Sequence, residues 1–358
     1  MKILHTADWQ LGIKFAFVAP DRSAQLRMAR FSTIRKIAVL AKDEQVDVVV
    51  VAGDVFDDNG VGRDILQAAD DALALFESIP VVLLPGNHDA GTADCALHWL
   101  QKRKHLHLAI RKEPIKLADG TIYPCPLLTR HQYDDPAEWI PPRASGDGVR
   151  VAIAHGGALN FGAGDCELPN RIDVPRILGK GIDYLALGDW HGTFTVNDRA
   201  WYSGTHEPTR FKEKDPGNVL LVEVAAPDAI PEIRKVAVAS TRWLLHSVVF
   251  SAANQIDELR AQLEQLPERA STLIELDLSG NLPINAKASL ERLLMEYSER
   301  LAYLRLTDKV LVQPTEGELS DFTAEGFIGE AVHDLRAAHD PAAQDALVLL
   351  YRLMQEAR

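Results

Sequence analysis

Val46-Asp47-Val48-Val49-Val50-Val51-Ala52-Gly53-Asp54-Val55-Phe56-Asp57 is the stretch that decides the fold. Residues 46–52 are β-branched and almost wholly apolar. A strand with one wet face alternates apolar and polar residues, whereas an unbroken apolar run is buried on both faces, as in a parallel sheet covered by helices. The run breaks at Gly53, and an acid, Asp54, follows at once. Outward from this stretch the same order repeats. Residues 1–7 read as a short buried strand ending at Asp8, and residues 24–42 as an amphipathic helix with Phe31, Ile34, Ile37, Ala38 and Ala41 on one stripe. Residues 64–77 read as a second helix and Pro80–Pro85 as a third buried strand. This βαβαβ order predicts a parallel sheet with helices on its faces. Later strands are expected at Val149–Ala154, Asp183–Leu187, Trp201–Ser203 and Asn218–Val224.

Polar residues stand at the carboxyl end of one expected strand after another. Asp8 and Gln10 follow the first, Gly53-Asp54 the second and Gly86-Asn87-His88-Asp89 the third. His155 follows Val149–Ala154, and Gly188-Asp189-Trp190-His191 follows the strand ending at Leu187. Sites in open α/β sheets are built at this edge. A lone Asp at a strand end is ordinarily a cap or a turn residue, and a lone His is ordinarily structural. Five strand ends in order, each delivering Asp, Asn, Gln or His, point instead to a two-cation site. Oxygen and imidazole donors without cysteine suit Mn, Mg, Fe or Zn rather than a soft metal.

The segments HTADWQLG, GDVFD, GNHD, AHGG and GDWHGT resemble the signature of the calcineurin-like metallophosphoesterases. The opening MKILHTADW followed by GDVFD and LLPGNHD is most similar to SbcD-type DNA repair nucleases of that superfamily. The resemblance is strong over residues 1–240 and rests on position and size alone over 241–312. It implies an α/β fold, a metallophosphoesterase β-sandwich flanked by helices in four α/β/β/α layers. A small α+β capping domain and a C-terminal helical tail would follow. The expected divisions are 1–240 for the nuclease domain, 241–312 for the capping domain and 313–358 for the linker and tail.

It also implies roles. Asp54 would bridge both cations, with Asp8, Gln10 and His191 completing one site and Asn87, His155 and Asp189 the other. His88 would sit over the scissile phosphate, oriented by Asp89, and either neutralise charge in the transition state or protonate the leaving oxygen. The sequence departs from the family pattern at Gln10 and Asp189, each an oxygen donor where a histidine stands in the family. That favours hard cations, Mn²⁺ first and Mg²⁺ second, over Zn²⁺. The expected activity is metal-dependent hydrolysis of DNA phosphodiesters, as exo- or endonuclease. The two departures leave open a weakly catalytic or non-catalytic DNA-binding scaffold subunit. The shared site leaves open a metallophosphoesterase acting on another phosphate ester.

The remainder of the chain is less specific. Its 358 residues, 47% of them apolar, suffice for one large α/β domain and an appendage. Composition changes near Pro227–Pro231, beyond which strands and helices alternate to residue 312. Two amphipathic helices are expected at 323–338 and 342–356, with stripes of Phe327, Ile328, Ala331, Val332 and Leu335, and of Leu347, Leu350, Tyr351 and Met354. They either pack back on the domain or dock on a partner. The resemblance implies an SMC-like ATPase of the SbcC type meeting residues 322–358, together with DNA and a homodimer, in a nucleoid-associated complex.

The net charge is −13, with 11 Lys and Arg against 19 Asp and Glu over 241–358, which argues against a broadly basic DNA-binding face. Local contacts are expected from Lys102, Arg103 and Lys104, with Arg111, Lys112, Lys116, or Arg27, Arg30, Arg35 and Lys36 as further candidates; each group reads equally well as solvated surface. Trp201–Thr205 reads either as a groove wall or as an edge strand. Cys95, Cys125 and Cys166 form neither a disulfide framework nor a zinc pattern, and no signal peptide or membrane span is expected, which suits a cytoplasmic compartment.

Overall fold

The computed structural model describes residues 1–158, 169–313, 315, 327–338 and 340–356. Cys166, residues 323–326 of the expected tail helix and most of the expected linker at 313–320 lie outside the described residues. The chain divides into two compact units, Met1–Thr241 and Arg242–Arg358. The C-terminal helices thus fall in the same unit as residues 242–312.

The first unit runs β1 (Lys2–Thr6), α1 (Pro20–Asp43), β2 (Val48–Val51), α2 (Arg63–Ala74), β3 (Val81–Leu83), β4 (Leu106–Leu108), β5 (Ile115–Leu117) and β6 (Gly120–Cys125). It continues with β7 (Val149–His155), β8 (Gly157–Ala158), β9 (Arg171–Ile172), α3 (Val174–Leu178), β10 (Tyr184–Gly188), β11 (Phe194–Asn197), β12 (Ala200–Tyr202), β13 (Asn218–Glu223) and β14 (Glu232–Ala237). Two six-stranded sheets form, in orders β14-β13-β1-β2-β3-β4 and β11-β12-β10-β7-β6-β5. The expected parallel pairing holds through β1, β2, β3 and β4, and β13 and β14 then extend that sheet antiparallel.

The strand period of two assigns each residue to a layer. Ile3, Val48, Val50 and Val82 turn inward and meet Ile122, Val151, Ile153, Tyr184 and Ala186 of the facing sheet. Leu4, Val49, Val51, Val81 and Leu83 turn outward onto Phe31, Ile34, Ile37 and Ala41 of α1 and Ala69, Ala72 and Leu73 of α2. On the far side Ala152, Ala154, Leu185 and Leu187 pack beneath Val174 and Ile177 of α3. Residues 48–51 are apolar without alternation because both of their faces are covered, giving the four layers α/β/β/α.

The second unit holds β15 (Arg242–Phe250), α4 (Gln255–Glu264), β16 (Thr272–Leu282), α5 (Ile284–Arg300), β17 (Tyr303–Val312), α6 (Phe327–Ala337) and α7 (Pro341–Glu356). Its three strands are parallel in the order β15-β16-β17, and α4 and α5 cover one face through Leu259, Leu263, Leu290, Leu293 and Tyr297. Val332 of α6 and Leu347 and Val348 of α7 bury against Ile284 and Ala288 of α5, so part of the tail's apolar stripe packs within this unit. Phe327, Ile328, Leu349 and Leu353 stay exposed. Among the described residues no helix is long and apolar enough to cross a membrane.

Candidate metal centre

The parallel strands of both sheets end at the same rim, where the turns after β1, β2, β3, β7 and β10 bring the expected residues together. Carboxylate oxygens of Asp8 and Asp54 and a ring nitrogen of His155 lie within 4.8 Å of one another. His155 Nε2 is 2.9 Å from Asn87 Oδ1, 3.5 Å from Asp54 Oδ1 and 3.8 Å from Asp189 Oδ1. Gln10 Nε2 is 3.2 Å from His191 Nε2. The backbone N–H of Asp189 donates to both oxygens of Asp8 at 3.2 Å, and that of His88 donates to Asp54 Oδ1 at 2.9 Å.

Tight turns do this gathering. Asp8, Gln10, Asp54 and Asp189 all adopt positive φ, at 53°, 39°, 52° and 98°. Such backbone costs a non-glycine residue roughly 1–3 kcal/mol and collects at functional sites. Gly53 and Gly86 are required by proximity. A Cβ on Gly53 would lie 2.0 Å from His155 Nδ1, and one on Gly86 would lie 2.1 Å from Asp54 Oδ1.

Three histidines are held in one sense. His155 Nδ1 donates to the Ala52 carbonyl at 2.9 Å, and His88 Nδ1 to the Asp57 carbonyl at 2.8 Å. His191 Nδ1 pairs with Glu213 Oε1 at 2.6 Å, with Thr209 Oγ1 also in reach at 3.1 Å. A carbonyl oxygen only accepts, so Nδ1 of His155 and His88 carries the proton in every state and Nε2 is the atom turned toward the centre. Such outer partners fix the tautomer of metal-binding histidines.

The charge balance fits divalent cations. The carboxylates of Asp8 and Asp54 are buried, and among the described residues no lysine or arginine side chain bonds to them. Buried Arg30 does not reach the carboxylates: it donates to the carbonyls of Asp8 and Trp9 and to the Thr205 hydroxyl. Burial lifts the Asp8 carboxyl to about 6 against the pull of His155 and His191. Burial opposes a charge on His155, but Asp54, Asp8 and Asp189 outweigh it and hold its pKa well above the ordinary imidazole range. At Asp54 the neighbouring His155 and His88 overcome burial and hold the pKa low. An oxygen- and imidazole-rich cluster with no lysine or arginine bonded to its buried carboxylates is suited to hard or borderline metal ions.

Two expectations, for Asp89 and Arg30, are corrected, and Lys102–Lys104 are located. Asp89 does not orient His88. Its oxygens accept from the N–H groups of Gly86 at 2.7 Å and Phe56 at 3.1 Å, so it braces the two loops while the Asp57 carbonyl orients the imidazole. Burial, then the Asp54 charge, lifts Asp89 to about 7. Lys102, Arg103 and Lys104 directly precede β4, at the rim opposite the metal candidates, because β4 runs parallel to β3. Arg30 faces inward rather than toward phosphate: it is buried and binds backbone carbonyls. Asp57 closes the motif GDVFD without an expected role, and Glu213, twenty residues beyond the last motif in TRFKEKD, carries no local signal in the sequence.

A four-layer sandwich with acids and histidines converging at the C-terminal rim of its strands defines a metal-dependent phosphoesterase. The family model for calcineurin-like phosphoesterases matches residues 1–217, and the chain belongs to that family.

Proposed function

We propose that this phosphoesterase is a DNA nuclease, hydrolysing phosphodiester bonds as the SbcD-like subunit of a repair complex, with Mn²⁺ or Mg²⁺ preferred over Zn²⁺. The observation that supports it best is the placement of His88. Its Nδ1 is held by Asp57, while Nε2 lies 3.9 Å from Asp54 Oδ2 with the side chain 32% exposed. An imidazole beside the metal candidates and open to solvent is placed to protonate the departing sugar oxygen of a long substrate.

Asp8, Gln10, Asp54, Asn87, His155, Asp189 and His191 would hold two divalent cations, which when bound neutralise phosphate oxygens and make water acidic enough to attack at neutral pH. By the family resemblance Asp54 would be shared by both sets. Its Oδ1 lies 3.5 Å from His155 Nε2, Asn87 and His155 meet at 2.9 Å, and Gln10 and His191 meet at 3.2 Å. A half rotation of the Gln10 amide would bring its oxygen, in place of Nε2, to the side of His191. The oxygen donors Gln10 and Asp189 support the preference for hard cations. In the complex, exposed Phe327, Ile328, Leu349 and Leu353 are the residues an SMC-like ATPase would meet.

The test is cleavage of end-labelled single- and double-stranded DNA in Mn²⁺, Mg²⁺ or Zn²⁺, wild type beside His88→Ala, with and without the ATPase. Manganese-dependent cutting should fall roughly 10²–10⁴-fold in the variant, the range of general-acid assistance, while Mn²⁺ binding persists. No cutting in any metal, with the ATPase present, would leave a DNA-binding scaffold in place of a nuclease.

A further inference from the structure

Beside the metal centre lies a cleft of about 350 Å³ lined by Asp189, Trp190, His191, Gly192 and the segment Arg210–Lys214. That segment alternates. Arg210, Lys212 and Lys214 are exposed, whereas Phe211 and the Glu213 carboxylate turn inward. Glu213 directs its charge to His191 Nδ1 at 2.6 Å and to the Thr209 N–H at 2.9 Å, with Arg210 Nε 3.5 Å away. Asp189 adds an exposed carboxylate to the lining, while this segment turns three exposed cations to solvent and its one acid inward. This stands against a chain of net charge −13. Trp190 sits between Asp189 and His191 with 42% of its surface exposed. The cleft floor is fixed, because a Cβ on Gly192 would lie 1.8 Å from the Lys214 carbonyl.

We propose that this cleft binds one nucleotide unit of an unpaired nucleic-acid strand, its base against Trp190 and its flanking phosphates against Arg210, Lys212 and Lys214. The inference rests on the nuclease reading and adds the form of the substrate beside the reacting phosphate. Cations set along one wall follow a backbone of repeating negative charge. An exposed indole takes the face of any base and is sequence-tolerant, but it needs that face uncovered. In a duplex both faces are stacked on neighbouring pairs, so the pairing of an indole with a phosphate wall selects an unpaired strand.

The experiment is fluorescence anisotropy with the full chain, in chelator, using a labelled unpaired oligonucleotide and a duplex of the same sequence between 50 and 200 mM salt. Each phosphate contact contributes roughly 0.7 to the slope of log K against log salt on single strands. Removing all three cations in Arg210→Ala/Lys212→Ala/Lys214→Ala should therefore make the slope shallower by about 2, and weaken binding at least about tenfold at the low-salt end. Trp190→Ala should weaken the unpaired strand by about tenfold or more, and Trp190→Phe should restore most of it. Unchanged slope and affinity in the triple variant, or equal affinity for strand and duplex, would overturn the proposal. Binding is read without turnover, so the two readings fail separately. A chain that binds the strand through these residues and never cuts DNA sinks the nuclease alone. One that cuts DNA with binding indifferent to these variants sinks the cleft.

Discussion

The two rims of the sandwich use the same residue types for opposite ends. At the N-terminal rim Asp183, just before β10, is buried and fully neutralised. Arg143 Nη2 donates to both of its oxygens at 2.7 Å, and the N–H groups of Arg150 and Asp228 donate at 2.8 and 2.7 Å. Arg150 beside it lies over the Tyr123 ring at 4.5 Å. At the C-terminal rim, six residues on, Asp189 ends the same strand in a left-handed backbone and faces His155, not an arginine. Asp8 and Asp54 share that condition. A buried acid with a guanidinium is a finished structural element. Acids that face imidazoles and one another, Asp8 and Asp54 buried and Asp189 exposed, are balanced only by imidazoles that can give up their protons, and a divalent cation would take that place.

Asp54→Asn should break the comparison on the functional side with the largest effect. Loss of its charge from beside Asp8 and His155 should lower kcat/KM on a diester on the order of 10³-fold, or about 4 kcal/mol, the scale of a bound metal's electrostatic help. The rise in thermal midpoint that Mn²⁺ gives the wild type should vanish with it. Scanning calorimetry with and without metal, beside turnover of bis-p-nitrophenyl phosphate, checks both. A variant that keeps its metal-dependent rise would move the centre away from Asp54.

Asp183→Asn is the mirror experiment, with a somewhat smaller effect of another kind. Breaking a buried pair leaves the Arg143 guanidinium, itself largely buried, without its carboxylate, at a cost of roughly 3 kcal/mol. Urea unfolding should show this loss with or without Mn²⁺, while the metal-induced gain and the turnover of folded protein persist. If the metal response disappears as well, the two rims are coupled and their division of labour is wrong.

The difference between the rims also explains what could be read beforehand. The strand VVVV at 48–51 and the acids and histidines after each strand were legible, because burial on both faces and a motif at a strand end are local patterns. The edge strands were not. β14, EIRKVA, lies where no strand is assigned from the sequence and is mostly solvent-facing, yet it pairs with β13 along its whole length. Charges carried no address. Lys102–Lys104 and Arg210–Lys214 look alike in one dimension, and only the direction of β4 puts the first at the far rim. Partners that act through backbone atoms were equally hidden. Nothing in the side chain of Asp57 announces that its carbonyl holds His88, or that the Asp89 carboxylate is occupied by two backbone N–H groups.

The finest distinction between the rims is their response to protons. In the metal-free protein Asp8 titrates at about 6 because of burial, and His155 and His191 are held above the ordinary imidazole value by the carboxylates they face. To ligate, Asp8 must be ionised and the two imidazoles neutral with Nε2 bare, so metal binding should release protons. The sign follows: affinity for Mn²⁺ falls as pH drops through the raised imidazole values and again through about 6, by up to about tenfold per pH unit for each proton released. Stability of the metal-free chain runs the other way. The contribution of neutral Asp8 is fully present below the unfolded value of 3.8 and is lost as pH rises through about 6, so the centre is least comfortable empty where it binds metal best. Titration calorimetry of Mn²⁺ between pH 5.5 and 8, in buffers of different ionisation heat, reads both the affinity and the protons released. Affinity that ignores pH, with no buffer-dependent heat, would mean that Asp8, His155 and His191 do not hold the ion, and the contrast with the arginine-neutralised rim would lose its meaning.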